Sequence, residues 1–169
     1  YTHEHAVQTH GINDLRAIFL KNKKKINIFA NNETLKYLKN NFSYCFENNF
    51  GYPSILKANK LKKKFSLGVN KNKIDFESFE VKHGHINSVA YIFNKIAYIS
   101  DCSHLNKSNL RKLKNLNVLI IDCLRFDDHY SHLTYNKVLE IISLIKPKKT
   151  ILTNLNNEMD YNYLLKILP

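Results

Sequence analysis

Three apolar, strand-like runs in this chain each lead to a histidine or an aspartate, and this pattern constrains the fold more than any other feature. The run from Phe76 to Val81 leads to His83, the run from Ile96 to Ser100 ends at Asp101, and the run from Val118 to Ile121 ends at Asp122. Strand ends that share one edge of a sheet converge, and ligand sites form there. The pattern therefore predicts a β-rich core with a polar site at one sheet edge.

The remaining elements predict sheets covered by helices. Val89 to Phe93 and Ile96 to Ser100 flank Asn94-Lys95, which suits a tight hairpin. Val118 to Ile121 is apolar throughout, as expected of a strand that is buried on both faces. Ile26 to Ala30 and Thr150 to Thr153 are further candidate strands. Because strands dominate first and then alternate with helices, the chain is predicted to be α/β.

Four helices are predicted from apolar periodicity and capping residues. The first spans Gly11 to Leu20, with Leu15, Ile18 and Phe19 on one face. Asn32 is the expected N-cap of the second helix, and Thr134 that of a third, which stops at Lys146-Pro147. Asp160 begins the last helix. No linker or repeat divides the sequence, so we interpret residues 1–169 as a single domain.

The formal net charge of +12 raises the possibility of a nucleic-acid partner. Almost all of the positive charge is lysine, whereas nucleic-acid readers rely on arginine for bidentate contacts. Abundant asparagine and isoleucine with scarce glycine and proline indicate compositional drift. A nucleic-acid partner is therefore possible but not favoured, and the lysine-rich stretch from Lys57 to Lys73 is interpreted as a solvated hairpin or a substrate-facing loop.

The cysteines and the hydropathy point to a cytoplasmic protein. Cys45, Cys102 and Cys123 form no C-x-x-C pair and leave an odd count, so a reducing compartment is the simplest setting. No run approaches the roughly 18 apolar residues that a membrane-spanning helix needs, so no membrane partner is expected.

The N-terminal histidines suggest a metal site. In extended backbone His3 and His5 point the same way and can share one ion, and neutral imidazoles suit Zn²⁺ or a similar transition metal. Each piece also has an ordinary explanation. An H-x-H pair is often incidental, His83-Gly84 can mark a turn, and Asp101 can cap the segment after it.

The order of motifs resembles that of metallo-β-lactamase-fold hydrolases. Residues 1–16, YTHEHAVQTHGINDLR, are similar to the motif T-H-x-H-A-D-H-x-x-G-I-D-D-L-R of that family, and in particular of the group that includes phosphoribosyl 1,2-cyclic phosphate phosphodiesterase. The similarity continues in order through Val81 to Gly84, Ala97 to Asp101, Leu119 to Arg125, His129 to Thr134, and Pro147 to Thr153. The resemblance implies an αββα sandwich whose N-terminal strands and C-terminal end are missing from this chain.

The resemblance also implies a ligand set. His3, His5 and His83 would hold one metal, Zn²⁺ or Mn²⁺, and Asp101 would bridge to a second ion. The family positions for that second ion are Val7, Gln8 and Asn154 in this chain. Gln8 and Asn154 can offer an amide oxygen, but Val7 can offer nothing. Because amides bind these ions weakly, the second metal site is expected to be impaired.

The implied chemistry is hydrolysis of a small cyclic or nucleotide-like phosphate ester. Asp101, His129 and His132 are the expected catalytic residues, with His129 or His132 binding phosphate or protonating the leaving oxygen. Arg125 is interpreted either as a phosphate contact or as a partner of Asp122 or Asp14. Two alternatives remain. The chain is a non-catalytic relative that keeps at most one metal, or an RNA-processing nuclease of the same superfamily.

Overall fold

Two stretches of the chain fold as separate units in the computed structural model, which describes residues 1–48, 51–68 and 72–168. The N-terminal unit comprises Tyr1–Lys62 and the C-terminal unit comprises Lys63–Pro169. Each unit has its own hydrophobic core. The interpretation of residues 1–169 as a single domain stays a prediction.

The N-terminal unit is mostly helical, with a short parallel sheet. Its elements are α1 (Ala6–Thr9), a 3₁₀ turn (His10–Asp14), α2 (Leu15–Asn22), β1 (Ile26–Ala30), α3 (Asn32–Asn41), α4 (Ser43–Phe46) and β2 (Leu56–Lys60). Strands β1 and β2 pair in parallel, with Ile26 opposite Leu56. The core of this unit forms around Ile12, Ile28, Leu38 and Ile55.

Two helix predictions in this unit need correction. The helix predicted from Gly11 begins only at Leu15, because residues 10–14 form a tighter 3₁₀ turn. Ile18 was placed on its apolar face but is exposed, whereas Phe19 packs against the core. The N-cap of α3 is Asn31 rather than Asn32, since the Asn31 side chain accepts a hydrogen bond from the backbone N–H of Thr34 at 2.9 Å.

The C-terminal unit is built on a six-stranded mixed sheet. Its strands are β3 (Lys64–Leu67), β4 (Ile74–His83), β5 (Ile86–Phe93), β6 (Ile96–Ile99), β7 (Val118–Asp122) and β8 (Lys149–Thr153), and they lie in that spatial order. The pairs β3–β4, β4–β5 and β5–β6 are antiparallel, and the pairs β6–β7 and β7–β8 are parallel. This arrangement confirms the predicted α/β class.

Local sequence explains the main connections. Asn94 and Lys95 both adopt positive φ, 47° and 60°, which is the backbone of a type I′ turn and confirms the predicted hairpin between β5 and β6. The run from Val118 to Ile121 forms β7, which has parallel neighbours on both sides. Leu119 and Ile121 are buried, but Val118 and Ile120 are only partly buried, so the predicted burial on both faces is complete on one face.

Among its described residues, this unit has three helices: α5 (Lys107–Lys112) connects β6 to β7, α6 (Tyr135–Ile145) connects β7 to β8, and α7 (Tyr161–Ile167) follows β8. Thr134 caps α6 through the backbone N–H of Lys137, and α6 ends at Lys146 in the left-handed conformation, as predicted. Asp160 caps α7 in the same way. Helix α5 was not predicted, although Asn106 and Asn109 form a reciprocal capping box at its start.

The sheet topology brings four strand ends to one edge. Since β4 and β6 both run antiparallel to β5, and β6, β7 and β8 are parallel, the carboxyl ends of β4, β6, β7 and β8 lie on the same side. His83, Asp101, Asp122 and Asn154 lie at or just after these ends. The convergence predicted from the sequence is therefore confirmed within this unit.

The lysine-rich stretch and the helix lengths bear on two further features considered in the sequence analysis. The stretch from Lys57 to Lys73 contains most of β2 and all of β3 rather than a single loop, and residues 69–71 lie outside the described residues. Within the described ranges, no helix is both long and apolar enough to cross a membrane.

Substitution of Leu119 tests the core of the C-terminal unit. Leu119 is fully buried in β7. We expect Leu119→Ala to lower the free energy of unfolding by about 2–5 kcal/mol, because the cavity adds to the lost transfer free energy. The matched control Leu144→Ala removes an exposed leucine of α6 and should change it by no more than about 0.5 kcal/mol. Urea unfolding measures both, and equal losses would contradict this account of the core.

Candidate metal centre

His83, Asp101 and His132 form a compact cluster at the converging strand ends. One ligand atom from each lies within 4.8 Å of the others. His83 ends β4 and Asp101 follows β6, and both are buried, while His132 is partly buried on the loop after β7. Zinc–ligand bonds are about 2.0–2.2 Å long, so this spacing is close to that of ligands around one ion. Two imidazoles and a carboxylate also fit the donor types that Zn²⁺ and Mn²⁺ accept.

The orientation of His83 is fixed from its far side. The Nδ1 atom lies 2.6 Å from the backbone oxygen of Ser131, which can only accept a hydrogen bond. Nδ1 therefore carries the proton and Nε2 keeps its lone pair. Metal-binding histidines are typically held in this way, by a carbonyl or carboxylate on the nitrogen that does not face the ion.

Asp122 organises the centre without lining it. Its carboxylate is fully buried, and Oδ2 accepts hydrogen bonds from the backbone N–H of Cys102 at 3.0 Å and of Leu133 at 3.3 Å. The same oxygen lies 2.9 Å from Nδ1 of His132, and Oδ1 accepts from the amide of Asn154 at 3.0 Å. Burying a carboxylate without hydrogen-bond partners costs free energy, and these donors satisfy both of its oxygens. The contacts make Asp122 a positioning residue for His132.

The pKa of His132 responds to this environment. Burial alone lowers it, but the hydrogen bond to Asp122 and the negative charges of Asp122 and Asp101 act in the opposite direction and leave the pKa above its ordinary value of 6.5. Because Nδ1 donates to Asp122, the Nε2 atom of neutral His132 has a lone pair that can bind a cation, and Nε2 of the protonated ring can donate to a substrate oxygen.

Asn154 directs its amide nitrogen at the two carboxylates. Nδ2 lies 3.0 Å from Oδ1 of Asp122 and 3.4 Å from Oδ1 of Asp101. The opposite orientation would place the amide oxygen against two acceptors, so the hydrogen-bond pattern settles it. In this orientation the amide N–H of Asn154 donates to Asp101, and the amide oxygen is not the atom that faces this carboxylate. The role of Asn154 as a ligand through its oxygen stays a prediction.

The structure also places the two other candidate residues of the loop. The ring of His129 is tilted against that of His132, with centroids 5.0 Å apart, and its Nδ1 accepts from the backbone N–H and hydroxyl of Ser131. Burial, and then the charge of His132, lowers the pKa of His129. Arg125 donates to the backbone oxygens of Asp127 and Asp128 at 3.3 and 2.5 Å, so it shapes this loop. Its predicted pairing with Asp14 stays a prediction.

The N-terminal unit holds the remaining candidates. The rings of His3 and His5 lie 4.7 Å apart in an edge-to-face arrangement, so the H-x-H spacing does bring them together. Thr9, at the end of α1, donates from its hydroxyl to the backbone oxygen of His5 at 3.0 Å. Val7 is 89 % exposed and Gln8 is half-buried, and both lie on α1. The metal-ligand roles of His3, His5 and Gln8 stay predictions.

Comparison with known proteins shows the family. The family model described as the beta-lactamase superfamily domain matches residues 1–153. The chain belongs to this superfamily. Its folded core is that of the metallo-β-lactamase fold, as the resemblance implied.

Individual relatives extend this result. The crystal structure of a diphosphatase from the PhnP family shares 25 % identity with a TM-score of 0.87, and the match covers the whole of this chain and 63 % of that one. Zn²⁺-bound PqqB from Methylobacterium extorquens has the same fold, with a TM-score of 0.74 at 12 % identity, covering 98 % of this chain and 66 % of that one. An octanoyltransferase of Porphyromonas gingivalis strain W83 is 26 % identical over 99 % of this chain. The chain spans only 34 % of that protein's length.

Two parts of the centre escaped sequence reasoning. Asp122 was recognised as a strand end but was not assigned as the partner of His132, although both lie in motifs that were identified. The carbonyl of Ser131 orients His83, and no sequence signal could have found it, because every residue has a backbone oxygen.

The raised pKa of His132 gives a test in metal-free protein. By NMR titration we expect its imidazole to titrate above 6.5, and Asp122→Asn should lower that pKa because the partner charge is lost. Since the folded-state pKa is raised, its contribution to stability is complete below pH 6.5 and is lost as the pH rises through the raised value.

The control is Asp127→Asn, which neutralises an exposed carboxylate on the same loop and should leave the titration of His132 unchanged. If both variants shift the His132 pKa equally, the Asp122 contact does not set it.

Proposed function

We propose that the chain carries the metal centre of a metal-dependent hydrolase that cleaves phosphodiesters, with a small cyclic or nucleotide-like phosphate ester as substrate. The observation that carries this proposal is the pair of imidazoles, His83 and His132, whose Nδ1 atoms are both held by fixed acceptors beside the buried carboxylate of Asp101. Such a pre-oriented donor set is typical of a site that binds a cation. The superfamily membership and the likeness to a PhnP-family diphosphatase support the reaction class.

The ion would be Zn²⁺ or Mn²⁺, held by His83 and Asp101, with His3 and His5 as the further ligands that the family resemblance implies. When bound, such an ion polarises a phosphoryl oxygen and lowers the pKa of its water. We assign protonated His132 to a phosphoryl oxygen, to which its Nε2–H donates. His129 accepts at Nδ1 and so carries its proton at Nε2, from which it can donate a hydrogen bond to the leaving oxygen.

The arrangement around Asn154 favours a centre with one cation. The amide N–H of Asn154 lies between Asp101 and Asp122 and places partial positive charge where these two carboxylates approach each other. A second cation is therefore less needed there. Together with Val7 and Gln8, which stand at positions the family resemblance assigns to stronger ligands, this amide supports a second site of low affinity. The same observations favour the alternative function, a non-catalytic relative that keeps at most one metal.

Acyl transfer of the kind named for the octanoyltransferase has less support. A thiolate nucleophile requires a low pKa, but burial raises the pKa of Cys102 and of Cys123 to about 12. Cys45 is also buried and its pKa is raised by that burial. The RNA-processing reading and the cytoplasmic location stay predictions.

Removal of His83 tests the metal centre directly. We expect His83→Ala to release the metal of the purified protein and to lower hydrolysis of bis(p-nitrophenyl) phosphate by roughly 100-fold, since even residues that only support ligands account for 10- to 100-fold. Elemental analysis measures the metal content and absorbance measures the hydrolysis. His104→Ala is the matched control, because His104 is exposed and lies outside the cluster. Full metal occupancy in His83→Ala would refute the assignment.

Restoring a carboxylate at position 7 tests the second site. Val7 is 89 % exposed, so Val7→Asp removes no core contact and should leave the free energy of unfolding within about 0.5 kcal/mol of the original. We expect it to raise the metal content from about one towards two ions per chain and to increase phosphodiester hydrolysis. Val7→Asn, which has the same shape without the charge, should produce neither gain. If Val7→Asp also produces neither, the defect lies at Gln8 or Asn154.

A further inference from the structure

An unbroken row of aromatic rings leads from the buried cluster to the protein surface. Ring centroids are 4.7 Å apart from His83 to His132, 5.0 Å from His132 to His129, 5.0 Å from His129 to Tyr130 and 5.8 Å from Tyr130 to His85. The inner three rings, those of His83, His132 and His129, belong to the proposed catalytic centre. The outer part of the row, Tyr130 and His85, has no role in the chemistry proposed above.

Tyr130 is exposed yet held in place. Its side chain is 72 % exposed, and its ring lies nearly parallel to those of His85 and His129, with interplanar angles of 18° and 30°. It rests on the turn between β4 and β5 at Gly84, where a Cβ atom would come within 3.1 Å of Tyr130 Cε2. Gly84 also has a φ of +59°, which a side chain rarely adopts. The turn therefore leaves room for the tyrosine ring against its backbone.

An exposed aromatic ring beside the proposed phosphate-cleaving centre can bind a flat heteroaromatic base by stacking. Protein aromatic side chains and histidines stack on nucleobases, with little dependence on which base is present. A nucleoside phosphate has its base one sugar ring away from its phosphate. His129 similarly separates His132 from Tyr130 in the row. A phosphate held at His132 thus leaves the attached base near Tyr130.

We propose that Tyr130, with His85 and His129, forms a stacking platform for the base of a nucleoside phosphate. The inference rests on the proposed function, because it narrows the substrate from a general phosphate ester to one that carries a nucleobase. The ligand is either a free nucleotide or the end of an RNA strand, and both present the same base and phosphate chemistry.

The test is isothermal titration calorimetry of the zinc-supplemented full chain with AMP, adenosine and ribose 5-phosphate. We expect Tyr130→Ala to weaken binding of AMP and adenosine by about 5- to 100-fold and that of ribose 5-phosphate by no more than about 2-fold, because only the base is stacked. Tyr130→Phe should retain the affinity for AMP. Tyr161→Ala removes a comparably exposed tyrosine, 68 % exposed at the start of α7, and should change none of the three affinities.

The outcomes separate this inference from the proposed function. Equal AMP affinity in the original chain and in Tyr130→Ala overturns the platform, as does an equal loss for ribose 5-phosphate. Absence of any phosphodiester hydrolysis overturns the proposed function, whereas the adenosine titration still decides the platform. Tighter binding of oligoadenylate than of AMP, with the same dependence on Tyr130, supports the platform and identifies RNA as the source of the base.

Discussion

The C-terminal unit depends on one buried carboxylate. Asp122 accepts hydrogen bonds from the segment after β6, from the loop after β7 and from the residue after β8. Burial of an unsatisfied carboxylate is strongly unfavourable, so these donors must be in place when Asp122 is buried. The requirement works in both directions, because the same bonds fix the segments that donate them. The strand ends that surround the candidate metal centre are therefore ordered before any ligand arrives.

The loop from Cys123 to Leu133 supplies both orientation and chemistry. Its backbone at Ser131 holds His83, its own His132 is held by Asp122, and Ser131 also contacts His129. This short segment thus sets the tautomers of His83 and His129 through Ser131, and it carries His132, whose tautomer is set by Asp122. Arg125 contributes by binding two backbone oxygens within the loop. The loop therefore contributes side chains and hydrogen bonds to the candidate centre itself.

The sequence predicted strands and their ends well, and contacts between side chains less well. The type I′ turn at Asn94-Lys95 and the parallel strand from Val118 follow from local rules, since positive φ and parallel pairing on both sides leave direct marks on residue choice. The pairing of Asp122 with His132 depends on a loop path that no periodicity encodes. The Asn31 cap differed by one residue from the expected Asn32, since both positions offer the same side chain.

The backbone at Asn154 limits how this site can change over evolutionary time. Asn154 follows β8 with a φ of 62°, in the left-handed region where asparagine, aspartate and histidine are several-fold enriched among non-glycine residues. All three can bind a cation through a nitrogen or oxygen atom, whereas β-branched residues are strongly disfavoured there. Among non-glycine residues, the backbone conformation therefore favours substitution of Asn154 by another polar residue. A centre that lost metal affinity here would keep a side chain from which that affinity can return.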